Sequence, residues 1–241
     1  MDIHKPKPVH NWHEFLKEVG IIVLGVTIAL SAEAAVQAVH EAQLARETRA
    51  TAREELQTDL QRSLTRRVNQ SCIDRRLDEV ARIIAASDQP GYHPPNWIGR
   101  PQVQILNSSG WDAAAQAGRV ALLDNKEQAQ LGSLYSQLRE HYQLQRDEQK
   151  AWADMRQLEG QPHVDPQMRA AVRSALQQAR LLNWNIRVDL EQSEKRAEAL
   201  GIMQDNPRPK GSPGVCLPTD TPRADAIAKV NAFFHDNLGE P

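Results

Sequence analysis

Three groups of residues have types and spacings that could do chemistry. Cys72 and Cys216 are the chain's two cysteines. The first lies in a helical stretch and the second in the Pro/Gly-rich segment GSPGVCLP. A disulfide between them would pin a flexible segment to a helix, a bond that persists in an oxidising compartment. Closing a loop of about 145 residues stabilises by roughly 5 kcal/mol in the chain-entropy account. The alternative is two unrelated buried thiols. The second group centres on Glu33, with Gln37 one helical turn further on. A carboxyl at membrane depth costs about 3 kcal/mol and asks for a partner, either a cation from another subunit or Gln37 of a neighbouring copy. Gly25, Ala29 and Ala32 lie on a related face, where small side chains permit close helix approach. The alternative sets Glu33 at the headgroup boundary, solvated. The third group is aromatic: Trp111, Tyr135, Tyr142, Trp152 and Trp184 could line a pocket between helices, with Asn183-Trp184-Asn185 the most unusual cluster. Core packing is the ordinary alternative.

Other candidates carry less. His4, His10 and His13 sit in a Pro-rich stub that offers no fixed ligand geometry for a metal. His40 with Glu41 and His163 with Asp165 read as surface pairs, and Asp112 and Glu140 as isolated carboxylates. No nucleophile elbow, HExxH, phosphate loop or dinucleotide fingerprint is present. No catalytic, cofactor or metal residues are assigned, and the expectation is a protein that is not an enzyme. The formal net charge is −2 with both signs interleaved. A nucleic-acid binder shows a basic face or tail, so that class is set aside.

These residues need elements to position them. Val19–Ala32 is apolar, and continuation through Val39 gives the roughly 20 helical residues a bilayer needs. Residues 19–39 contain no Lys or Arg. Upstream, Trp12, Phe15 and Lys17 form an interfacial collar of amphipathic side chains. A retained transmembrane helix over 19–40 is the favoured reading. A cleaved signal peptide remains an alternative, since Lys5, Lys7, the apolar run and Ala32-Glu33-Ala34 supply its three parts. A buried helix of a soluble protein is the third. Basic residues flank the span almost equally, but a stub of residues 1–18 is easily left in the cytoplasm while a long polar domain is exported.

The remaining chain, 41–241, is dense in Ala, Leu, Gln, Glu and Arg, and aromatics make up only 5% of the whole, which favours an all-α fold. From Ala42 to Ala86 there is neither Pro nor Gly. Leu56, Leu60, Leu64 and Val68, then Ile73, Leu77, Val80 and Ile84, predict one long amphipathic helix continuous with the span. A proline-rich excursion covers 87–110, with a short extended piece at Val103–Leu106 and a Ser108 or Ser109 cap for a helix from Trp111 to Leu123. Leu131, Leu134, Leu138, Tyr142, Trp152, Met155 and Leu158 mark the next helix, stopped by Gly160-Gln161-Pro162. Asp165-Pro166 starts another, whose Val172, Ala179, Ile186 and Leu190 keep nearly heptad spacing to about Met203. A strap over 204–222 precedes a last helix with Ile227, Val230, Phe233 and Phe234 on its buried side. The expected architecture is a transmembrane helix leading into an elongated antiparallel helical bundle.

FLKEVGIIVLGVTIAL followed by AEAAVQAVHEAQ resembles the anchor of a bacterial family of uncharacterised single-pass inner-membrane proteins. CIDRRLDEV (72–80), IGRP (98–101), SSGWDAAAQAGRVALL (108–123) and KRAEALGI (195–202) are similar to members of that family as well. The resemblance implies a short cytoplasmic stub, one span and a helical periplasmic region, and it implies no activity. The expected partners are the lipid bilayer and a protein, or a second copy, meeting the span and the first long helix. The expected role is a scaffold or accessory subunit of an envelope complex. The alternative is a periplasmic ligand sensor that relays through the membrane helix to a partner.

Overall fold

A computed structural model describes residues 12–202 and 210–238. His4, Lys5, Lys7, His10, Met203 and the first part of the strap lie outside the described residues. The fold is all-α, with six α-helices and no strand among the described residues. The first, α1, runs from Trp12 to Val68, and α2 follows from Gln70 to Ala86. Then come α3 (Ser109–Gln116), a 3-10 turn (Arg119–Leu122), α4 (Asn125–Met155), α5 (Pro166–Ala199) and α6 (Arg223–Leu238).

Local sequence accounts for most of these limits. Asp124 and Asp165 cap α4 and α5, their carboxylates accepting from Glu127 N at 2.9 Å and Met168 N at 2.8 Å. Pro166 at the first helical position has no N–H to leave unsatisfied. The helix expected over 111–123 is shorter than its apolar pattern suggests. It ends at Gln116, because Gly118 takes a left-handed φ of 71° and restarts the chain as the 3-10 turn. No strand forms at Val103–Leu106, where Gln104 is buried and Ile105 exposed.

Every described residue from Trp12 to Gln43 is exposed, and burial begins at Ala45. The first part of α1 is long and apolar enough to cross a membrane, and its apolar window is not buried among the described residues. Its hydroxyls are satisfied locally, Thr27 donating to Val23 O and Ser31 to Thr27 O, as an apolar solvent requires.

Beyond Ala45 the path is up, back, up and down. Arg49 pairs with Glu127 and Arg66 with Glu148, so α1 and α4 run in the same direction. Arg67 pairs with Glu194 and Asp78 with Arg180, so α5 descends antiparallel to the α1–α2 rod. Between α2 and α3 the proline-rich excursion returns along α1. Arg76 meets Ile98 O, Gln145 meets Gln104 N, Asp59 meets Asn107 N and Glu55 meets Gly110 N, in descending order. An extended chain advances about 3.3 Å per residue against 1.5 Å in a helix. The stretch from Ile98 to Gly110 thus returns over the distance that α1 and α2 climb in the longer stretch from Glu55 to Arg76.

The α1–α2 rod departs from the single continuous helix expected. It is interrupted at Asn69, whose side chain turns to donate to Ser212 O of the strap at 3.1 Å. The apolar row departs too. Leu56 and Leu60 are fully buried, but Leu64 is only half-buried and Val68 is exposed; the buried positions from Leu60 to the interruption are Ser63, Thr65, Arg66 and Asn69. Two apolar clusters result. An inner one, nearer the span, joins Leu56, Leu60, Trp111, Leu134, Leu138 and Ala197. An outer one joins Ile73, Leu77, Val80, Trp152, Met155, Val172 and Ala179. The expected buried face of α6 is also corrected. Ala226 is its buried residue, while Ile227 is exposed and Val230, Phe233 and Phe234 are half-buried.

Candidate functional site: a polar waist and an arginine-lined cleft

Between the two clusters the interior is polar. Arg66 and Glu148 form a two-point ion pair, Nη1 to Oε2 at 2.6 Å and Nη2 to Oε1 at 2.7 Å, with side chains only 2% and 1% exposed. Arg66 Nη2 also donates to Asn183 Oδ1 at 2.7 Å, Gln70 donates to the same oxygen at 2.9 Å, and Asn183 Nδ2 donates to Asp74 at 2.8 Å. On the adjoining side His141 Nδ1 lies 2.8 Å from Asp189 Oδ2, and Gln137 donates to Asp189 Oδ1 at 3.2 Å. Arg67 pairs with Glu194; burial pushes that carboxyl above its usual range, and Arg67 opposes the rise. A buried two-point arginine–carboxylate pair fixes direction as well as distance. The two-point pair gives this layer the geometry of a register lock.

The expected cysteine pair is joined: Cys72 of α2 and Cys216 of the strap form a disulfide, Cα–Cα 4.9 Å. Around it Arg76, fully buried, donates to the carbonyl oxygens of Trp97, Ile98 and Leu217 and to Glu79. Burial lowers the Arg76 guanidinium and Glu79 counters it. The same arginine therefore holds both irregular segments against α2. Gly99 has a φ of +69°, and a Cβ there would collide with the Gly214 carbonyl, so the excursion and strap cross at a position only glycine fills.

The aromatic set does not assemble a shared pocket, which corrects that expectation. Trp111 stacks on Tyr135 in the inner cluster, ring centroids 4.8 Å apart. Trp152 is fully buried in the outer cluster, and Asn183 is locked in the waist. Tyr142 is half-buried, with Arg146 over its ring at 5.9 Å. Trp184 is 54% exposed and, with Asn185 and Glu140, lines a shallow α4–α5 groove of about 550 Å³. Asp112 is not isolated either: it accepts from Ser108 and pairs with Arg139. Glu55 is a site that residue spacing does not reveal. It accepts from Gly110 N and Trp111 N at 2.7 and 3.0 Å and from Tyr135 OH at 2.9 Å, capping α3 from another helix.

In the apolar part of α1, Trp12 and Phe15 stack at 5.6 Å and Lys17 is exposed. Glu33 is exposed, and Gln37 donates to Glu41 at 2.8 Å. Gly25 has open space around it, and Ala29 and Ala32 are exposed. No group of three or more His, Cys, Asp or Glu that could hold a metal occurs among the described residues.

A cleft of about 670 Å³ opens where α1, the excursion, the strap and α6 meet. Arg62, Arg100 and Arg156 line it, together with Trp97, Ile105, Ile227, Val230 and Phe234, and among the described residues no Asp or Glu does. Apolar spacing alone assigns the α6 residues to a packed face; the IGRP arginine is the available signal for the cationic wall. A scan against protein-family models, a search of curated proteins and a search of solved structures each returned no match for this chain.

Proposed function

We propose that this is a single-pass inner-membrane protein, N-terminus in the cytoplasm and bundle in the periplasm, acting by binding as a scaffold or accessory subunit of an envelope complex. The observation that carries the reading is α1 itself. One helix leads without a break from an apolar stretch that no other described residue covers to the buried residues of the inner cluster. The Cys72–Cys216 bond supports an oxidising compartment for the bundle. The interior supports a structural use of its charges, because Arg66, Glu148, Asn183 and Asp74 pair with one another across helices, although Arg66 Nε, Gln137 Oε1 and His141 Nε2 have no hydrogen-bond partner among the described residues. The family resemblance of the anchor points the same way.

Three experiments test this. Fractionation should recover the full-length chain with membranes, and a membrane-impermeant maleimide should label the cysteines from the periplasmic side only after reduction. Gentle extraction should bring down one or more envelope proteins. Full-length chain in the soluble fraction, or a mature form beginning just beyond Ala34, would overturn the anchor. A sensor is the second reading, favoured by one feature: Arg62, in the cleft wall, belongs to the helix that leads into the apolar segment.

A further inference from the structure

The arginine-lined cleft combines two features that point to a class of ligand. Its cations are unevenly compensated. Arg156 is committed to Glu159 at 2.9 Å, and Arg62 lies 3.8 Å from Asp59. Arg100 donates to the neutral amide oxygen of Gln149 at 2.8 Å, and no carboxylate pairs with it among the described residues. Arg100 is exposed, so its charge is available. Beside them stands an apolar wall that the described residues leave exposed. Ile105 is 71% exposed and Ile227 43%, although both belong to segments held firmly at neighbouring positions. The strap holds the excursion through Trp97 Nε1 to Gly214 O at 2.7 Å, and Asn96 N and Trp97 N donate to Thr219 O. The walls are therefore preformed, and the volume lies in the range of about 300–1,000 Å³ typical of small-molecule sites.

We infer that this cleft binds a single-chain amphiphilic anion, its carboxylate or phosphate headgroup on Arg100 and Arg62 and its apolar chain between Ile105 and the Ile227–Phe234 face of α6. A guanidinium fork suits either headgroup. Location narrows the ligand further. Arg62 stands 22 residues beyond residue 40 on the same helix, about 33 Å along its axis. A lipid still seated in the bilayer around residues 19–40 cannot reach it, so the ligand is one that leaves the membrane or arrives through solvent. A single chain has that freedom and a two-chain lipid does not. The inference adds a ligand to the proposed binding role, and it does not depend on which protein partner the bundle meets.

The test uses the full-length chain in phosphatidylcholine nanodiscs and a diazirine-bearing dodecanoic acid as photoprobe, with crosslinks located by mass spectrometry. Labelling is expected on the peptides containing Val103–Ile105 and Ile227–Phe234. Arg100→Glu and Ile105→Asp, both at exposed positions, should each lower it about tenfold, and the methyl ester of the probe should label these peptides no better than Arg100→Glu does. Dodecanoate and dodecyl phosphate compete in separate arms, and the stronger competitor names the headgroup. Labelling confined to residues 19–40, labelling insensitive to Arg100→Glu, or equal competition by inorganic phosphate alone would each overturn the inference. Because the readout is a labelled peptide, it fails separately from co-purification of a protein partner.

Discussion

The two apolar clusters and the polar waist between them share α4 and α5, with α1 facing the inner cluster and α2 the outer, yet they hold the bundle by opposite means. In the clusters, burial of Leu56, Leu134, Ile73 or Trp152 is favourable in almost any rotational setting that keeps them inside. In the waist only one setting works: Arg66 must meet Glu148 and Asn183 together, or a buried charge is left alone. The clusters supply the driving force, and the waist decides how far each helix slides. The two ends of the bundle differ as well. The outer cluster has a covalent tie and a buried arginine gathering carbonyls, while the inner one relies on packing and the Glu55 cap.

The largest expected effect tests that asymmetry. Cys216→Ser, or reduction, removes up to about 5 kcal/mol of stability in the chain-entropy account. Amide exchange should rise around Ile73–Ile84 and remain slow around Leu131–Leu138; an equal rise at both ends would show one undivided core. Next, Arg66→Ala or Glu148→Ala should each cost about 3–5 kcal/mol in denaturant unfolding, since each strands the other's charge. The paired change Arg66→Met with Glu148→Leu should cost far less or nothing. If the pair change is as damaging as either single one, the waist contributes attraction as well as register.

The smallest effect concerns Asp59, at the edge of the inner cluster. Burial pushes its carboxyl up to about 6 from 3.8, against the Asn107 N–H and Arg62, which favour the charged form. The folded chain therefore holds this proton more tightly than the unfolded chain. Its contribution weakens the fold as pH rises from about 4 through about 6 and is constant above that. Asp59→Asn should remove this slope and gain at most about 3 kcal/mol near neutrality, since a tenfold difference in proton affinity is worth about 1.4 kcal/mol. Unfolding midpoints at about pH 4.5 and about pH 7.5 measure it. An Asp59→Asn chain with the unaltered slope would place the effect elsewhere.

Residue type and spacing were enough for several features. The uncovered apolar stretch of α1, the Asp165-Pro166 start of α5 and the helical class follow from local propensity, capping and hydrophobic pattern, which act over a few residues. The cysteine pairing was legible because only two cysteines exist. Other features were not. Arg66 and Glu148 look like residues of a solvated face, because a charged residue on an amphipathic helix reads the same whether it meets water or an opposite charge. Leu64 and Val68 continue the leucine row by spacing, but the rod's partners lie on the face of Ser63, Arg66 and Asn69. Glu55 capping a helix 55 residues away has no local signature.

The chain's own order thus determined that it is helical, where its apolar stretch lies and which cysteines bond. Tertiary structure alone decided that the excursion is a return pass, that the interior is split by a polar waist, and that α6 leaves an arginine-lined cleft open. The physical reason is range: propensity and periodicity are summed along a helix, whereas the pairing of a buried charge depends on the axial offset between helices far apart in sequence.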